Sequence, residues 1–191
     1  MTLPVLVLAS GSPRRRQLLE MLGIPIEVRP SHIPEVRRPG ESPQTCAERL
    51  AREKAAGVPG ALVLGADTTV VVDGEMLEKP VDAADALRML KRLEGRAHQV
   101  ITAIALKTPE GMLGATDITA VTFRPADDDT LRAYIATGEP MDKAGAYGIQ
   151  GYGAALVERI DGDFFGVMGL PVRLVLDLLA RAGYRYRFDR D

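Results

Sequence analysis

VLVLASGSPRRRQLLEMLGIPIEVRP, Val5–Pro30, is the stretch whose reading decides the fold. Val5–Ala9 is a short apolar run of the kind that fills a buried strand. Ser12 followed by Pro13 marks a helix start, Leu18, Leu19 and Leu22 form an apolar stripe, and Gly23 marks the stop. Pro25–Arg29 reads as a second short strand, which makes a β-α-β opening. The first turn of that helix holds Arg14, Arg15 and Arg16, where the backbone dipole is already positive and a cation costs roughly 0.3–1 kcal/mol. Arg14 and Arg15 stand three or four residues before Leu18 and Leu19, so they lean towards the buried side. Arg16 stands four before Glu20 and reads as half of a weak surface pair. With Ser10, Gly11 and Ser12 ahead of them, Arg14 and Arg15 read as an anion cradle, in which backbone N–H groups and guanidinium forks converge on phosphate oxygens. A solvated charge run is the other reading of the same residues.

Outward from this opening, Pro30–Pro43 is a proline-rich loop and Ser42 opens a second helix reaching about Ala56. Leu62–Val72 is a β-branched strand, and Asp73-Gly74 predicts a hairpin turn. A helix starting at Asp82 carries Leu87, Leu90 and Leu93 and stops at Gly95. Two extended runs follow, Gln99–Lys107 and Gly114–Phe123, then a short helix over Asp127–Ala136 and the glycine-rich DKAGAYGIQGYG. Ala155–Ile160 is expected to pair with Phe164–Met168 across Asp161 and Gly162, and a last helix follows Pro171 before a tail expected to fray. Hairpins mixed with crossover helices predict a mixed sheet with helices around it.

Composition limits what such a fold can do. With 191 residues, 46% hydrophobic, one globular domain is the default. The 24 basic and 26 acidic side chains leave a net charge of −2, which argues against a general nucleic-acid or anionic-membrane binder, so any anion site must be local. Cys46, alone in the chain, cannot form an internal disulfide or a thiolate metal cluster and reads as a small buried residue. The first residues do not read as a signal peptide and no apolar stretch approaches a membrane span, so a soluble cytoplasmic protein is expected. His32 and His98 give a serine triad or a histidine-rich zinc site little material, and phosphate chemistry with an oxygen-ligated divalent metal fits the inventory better.

Asp67 interrupts an otherwise apolar strand. An unpaired carboxylate there would cost several kcal/mol, so it needs a cation, a metal or several N–H donors. Lys79 lies across the hairpin, opposite Thr68 for a two-residue turn or opposite Thr69 for a three-residue loop, and in either case within roughly 5–8 Å of the Asp67 region. Taken singly, Glu35 in the proline-rich loop and Lys54 in the second helix read as surface residues. KAGAYGIQG offers Lys143, Gln150 and glycines that admit a ligand, although flexible turn chemistry explains the glycines equally well.

LASGSPRRRQLLEMLGI, LAREKA, GADTTVVVDGEMLEKP, DKAGAYGIQG and GVMGLPV, in this order over nearly the whole chain, resemble the motifs of the Maf-like nucleoside triphosphate pyrophosphatases. The resemblance implies an α/β fold of the Maf/ITPase kind over residues 1–191, a single domain with a mixed twisted sheet flanked by helices in two lobes around a deep cleft. It also implies hydrolysis of a nucleoside triphosphate between its α and β phosphates, a divalent cation (Mg²⁺, Mn²⁺ or Co²⁺) and, in many members, a homodimer. By motif, Ser10, Arg14, Arg15, Glu35, Lys54, Asp67 and Lys79 fall on positions the family uses for phosphates, metal and catalysis, with Asp67 as proton acceptor and Glu35 beside it near the metal. Arg14, Thr68 and Gln150 resemble the dTTP/UTP branch, where 7-methyl-GTP-type members have Trp, Gln and Glu. A glutamine amide can meet both the O4 and the N3–H of a neutral pyrimidine. Two alternatives stay open at this point: a non-hydrolytic nucleotide-sensing regulator of cell division, and a hydrolase of other phosphoanhydrides such as dinucleotide polyphosphates.

Overall fold

The computed structural model describes residues 4–188. Its strands are β1 (Leu6–Leu8), β2 (Ile26–Val28), β3 (Val63–Val72), β4 (Glu75–Leu77), β5 (Ala97–Thr108), β6 (Gly111–Phe123) and β7 (Val157–Asp161). Its helices are α1 (Pro13–Met21), α2 (Pro43–Ala56), α3 (Ala83–Leu93), α4 (Asp128–Ala136), α5 (Phe164–Met168) and α6 (Val172–Arg181), with three short 3-10 turns between Glu139 and Leu156. The strands form one seven-stranded sheet in the order β2-β1-β3-β5-β6-β7, with β4 paired to β3 off that path. β1 runs parallel to both β2 and β3, whereas the β3–β4 and β6–β7 pairs are antiparallel. The sheet is therefore mixed, as the alternation of hairpins and crossovers predicts. None of the described helices is long and apolar enough to cross a membrane.

The chain divides into two compact units. The first comprises residues 1–67, 102–117 and 169–191, and its parallel strands set the position of the candidate site. β1 is buried along its whole length, and Leu6↔Ile26 and Leu8↔Leu64 fix its register on both sides. α1 buries Leu18 and Leu19, a contribution of about 1.5–3 kcal/mol each. The N-cap of α2 is Ser42, whose hydroxyl accepts from the Thr45 N–H at 3.1 Å. Gly65 in β3 is where α2 comes closest: a Cβ there would lie 2.2 Å from the Ala51 carbonyl oxygen and 2.7 Å from the Ala55 nitrogen. Only glycine lets that helix approach the strand so nearly. Cys46 is buried on the same helix.

The second unit, residues 68–101 and 118–168, has its own core of Val70, Val72, Leu90, Leu93, Phe123, Tyr147 and their neighbours. Asp73 (φ 54°) and Gly74 (φ 77°) form a two-residue hairpin turn, with Val72↔Glu75, Val71↔Met76 and Val70↔Leu77 paired. Left-handed backbone at both turn residues matches the twist of the flanking strands. This settles the register that the sequence leaves open in favour of the two-residue turn. β4 nevertheless ends at Leu77, two residues short of Lys79, because the Glu78 carbonyl is bonded to the Gly145 N–H instead.

Two expectations are corrected. Phe164–Met168 is a helix rather than a strand, and β7 pairs with β6 instead, Val121 opposite Ile160 and Thr122 opposite Arg159. Asp161-Gly162, read as a hairpin turn, instead leads into a helix start at Asp163. Asp163 accepts the Gly166 N–H on Oδ1 at 3.0 Å, and its own N–H donates to Thr119 Oγ1 at 2.7 Å. The tail expected to fray is tied down at Tyr186, whose hydroxyl donates to the Leu22 carbonyl at 2.7 Å, and the last three residues of that tail lie outside the described residues.

Candidate active site

Four elements of the first unit converge at the carboxyl end of the parallel strands, where open α/β sheets bind ligands. After β1 the chain turns through Ser10, Gly11 and Ser12 into α1. The Ser12 N–H donates to Ser10 Oγ at 3.2 Å, so the serine at the helix start has its backbone held without capping by its own side chain. Arg15 reaches across this turn: Nη1 donates to Ser10 Oγ at 2.9 Å and Nε to the Gly169 carbonyl at 2.8 Å. Its guanidinium is thus fixed at both edges and aimed by the fold rather than trailing in water. Burial lowers the Arg15 pKa, and the charges of Asp67 and Glu35 oppose that shift, which places all three groups in one electrostatic neighbourhood. Arg14 is half-buried beside it. Arg16 instead pairs with Glu20 at 2.7 Å on the surface, as its spacing predicts.

Asp67 and Lys54 are both buried, at 6% and 5% exposure. Lys54 Nζ donates to Asp67 Oδ1 at 2.7 Å and lies 3.0 Å from Glu35 Oε1. One ammonium therefore bridges two carboxylates, and this is the cation that Asp67 requires. α2 delivers it well. Lys54 lies in the last helical turn, where the dipole favours a cation, and Gly65, two residues before Asp67 on the same strand face, brings that turn close. Reading Lys54 singly as a surface residue fails, because its neighbours Ala51 and Ala55 pack directly on β3. Glu35 remains mostly exposed, with 57% of its side chain accessible. Three cations, Arg14, Arg15 and Lys54, against the two carboxylates leave one net positive charge, suited to a polyanion.

Glu35 and Asp67, both on the Lys54 ammonium, could supply two hard oxygen ligands. Among the described residues no group of three or more His, Cys, Asp and Glu side chains could hold a metal by itself. A pair of carboxylates fits Mg²⁺ or Mn²⁺ that shares its remaining positions with phosphates and water.

The other residues picked out in the sequence belong to the second unit: Thr68 is half-buried, Lys79 is exposed, and Gln150 is exposed on a turn. Lys143 donates to the Glu139 carbonyl and to Asp142 Oδ1, both at 2.6 Å. Sequence reasoning missed Glu139, whose carboxylate accepts from the Tyr134 hydroxyl at 2.8 Å and from the N–H groups of Tyr152 (2.8 Å) and Gly153 (2.9 Å). The available signal was an acidic residue next to Pro140 just ahead of the glycine-rich run.

Residues 5–182 match the family model described as "Maf-like protein". The chain is 50% identical over 183 residues to a protein named dTTP/UTP pyrophosphatase from Symbiobacterium thermophilum, covering 94% of both chains. It is 49% identical to one of the same name from Anaeromyxobacter dehalogenans, covering 98% of both. A Staphylococcus aureus Ham1 protein structure aligns with a TM-score of 0.44 and 16% identity, over 63% of this chain and 72% of that one. By the extent of the family match and the identity to these relatives, this chain belongs to the Maf-like protein family.

Proposed function

We propose that the chain is a nucleoside triphosphate pyrophosphatase that hydrolyses dTTP and UTP, and by extension modified pyrimidine nucleotides, to the nucleoside monophosphate and pyrophosphate. The observation that carries this reading is the buried Lys54 bridging Asp67 and Glu35, with Arg15 fixed alongside. The names of the 49–50% identical relatives support the substrate class.

In this reading Arg14, Arg15 and Ser10 hold the triphosphate at the N-terminus of α1, where the ligand's charge offsets the dipole penalty of the arginines. Lys54 holds Asp67 by Oδ1, which leaves Oδ2 to orient a water and take its proton as the water attacks the α phosphorus in line with the leaving pyrophosphate. The bond formed is water oxygen to α phosphorus, and the bond broken is α phosphorus to bridging oxygen. Lys54 and Lys79 offset the charge that gathers on the phosphates and the departing pyrophosphate. Glu35 and Asp67 would hold the divalent cation (Mg²⁺, Mn²⁺ or Co²⁺), whose contribution when bound is to neutralise phosphate charge. Thr68 and Gln150 serve the base, Gln150 by offering one donor and one acceptor. The whole chain acts as one functional domain in this reading, its compartment is the cytoplasm, and a homodimer is the assembly that the family resemblance implies.

Pyrophosphate release over a panel of nucleotides tests the reading. dTTP and UTP should give pyrophosphate and monophosphate well ahead of the purine triphosphates. Tight UTP binding with no turnover of any nucleotide would replace it with a non-hydrolytic sensor, and turnover confined to dinucleotide polyphosphates would replace the substrate.

A further inference from the structure

The glycine-rich run that carries Gln150, whose glycines suit flexible turn chemistry as well as ligand approach, is wound tightly around a single carboxylate. Glu139 Oε1 accepts from the Tyr134 hydroxyl and the Gly153 N–H, and Oε2 accepts from the Tyr152 N–H. The Tyr134 hydroxyl in turn accepts from the Gly148 N–H at 3.1 Å. The loop is therefore held at both ends, Gly148 on one side of Gln150 and Tyr152 and Gly153 on the other, by two side chains in contact with each other. The Gly151 N–H to Gly148 carbonyl bond, at 3.4 Å, spans the turn between them.

Glycine identity at these positions follows from the same packing. A Cβ on Gly151 would lie 1.9 Å from Glu139 Oε2, and a Cβ on Gly153 would lie 2.7 Å from both the Gly148 carbonyl oxygen and the Tyr134 hydroxyl oxygen. The glycines thus admit the carboxylate rather than merely permitting motion. Burial pushes the Glu139 pKa up, but the donors from Gly153, Tyr152 and Tyr134 and the charge of Lys143 more than offset this, so the group is held below the usual carboxylate range. Three donors on two oxygens are what an ionised carboxylate accepts and an amide cannot, since a glutamine would turn its NH₂ towards at least one of the N–H groups.

We propose that Glu139 is a positioning residue for base selection: with Tyr134 it clamps the Gly148–Gly153 loop so that Gln150 is presented to the pyrimidine in one conformation. This rests on the reading of Gln150 as the residue that meets the ring. A clamped loop removes conformational freedom that would otherwise be lost on each binding event, so the clamp acts on discrimination rather than on the phosphate chemistry.

The test is the ratio of kcat/KM for UTP to that for CTP, which share the triphosphate and differ in the O4 and N3–H edge that Gln150 would read. A general loss of folding lowers both values together and leaves the ratio unchanged. Gln150→Ala should narrow the ratio about tenfold or more, Glu139→Gln should narrow it in the same direction, and the double variant should narrow it no further than Gln150→Ala alone. A wild-type ratio in Glu139→Gln beside a narrowed one in Gln150→Ala overturns the clamp and spares the reading of Gln150, as does a double variant that narrows additively. A wild-type ratio in Gln150→Ala overturns that reading and the clamp with it. If Glu139→Gln does not fold, Tyr134→Phe removes one donor from the carboxylate and the acceptor of the Gly148 N–H, and the same outcomes decide.

Discussion

Asp67 shows most plainly what a single residue discloses. A carboxylate inside an apolar strand must have a partner, so the need for a cation is legible in the sequence. The partner's identity is not, because Lys54 arrives from a helix through packing on Gly65 that no local pattern encodes. Asp67→Asn keeps size and the Lys54 hydrogen bond to Oδ1 but removes the proposed base. Pyrophosphate release from dTTP, corrected for the folded fraction, is expected to fall about 10²–10⁴-fold. A second residue-scale prediction concerns His98, which is buried, donates to or accepts from the Tyr147 hydroxyl at 2.8 Å, and is held by burial at about 4. The unfolded chain binds the proton from about pH 6.5 downward, so between there and pH 4 the unfolded state carries more protons and stability falls as the pH falls. The full loss is about 3 kcal/mol and is complete below pH 4. Urea unfolding at pH 7 and pH 5 should show about 2 kcal/mol of that loss in the wild type, and a smaller loss in His98→Phe.

Elements were most legible where their ends carry chemistry. Ser42, Asp82 and Asp127 each accept an N–H of the first turn of α2, α3 and α4, and Asp73-Gly74 sets the β3–β4 register. α5 was missed because Asp161-Gly162 mimics a hairpin turn and the composition of Phe164 to Val167 is β-like, whereas the Asp163 cap emerges only in the structure. The approach of α2 to β3 was missed for a different reason, since a lone glycine in a strand gives no direction. Gly65→Ala would drive a methyl into the Ala51 carbonyl and the Ala55 nitrogen, so α2 must shift. The expected result is a destabilisation of about 2–4 kcal/mol in chemical unfolding. Loss of activity should exceed what the unfolded fraction explains, because the shift also carries Lys54 away from Asp67.

For the molecule as a whole, the sequence disclosed an α/β protein with a mixed sheet, and a net charge of −2 that requires any anion site to be local. The opening β-α-β unit carried both statements, since the same turn that starts α1 holds Ser10 and Arg15. The candidate site was readable as a set of residues and not as an arrangement. Glu35, Lys54 and Asp67 come from a loop, a helix and a strand separated along the chain, and only the fold makes one ammonium their common partner. In the proposed function Asp67 directs the attacking water to the α phosphorus. Hydrolysis of UTP in oxygen-18 water, followed by mass spectrometry of the products, tests this most directly. Label in the monophosphate with unlabelled pyrophosphate is the predicted result, and label in the pyrophosphate, or release of orthophosphate in its place, would contradict it.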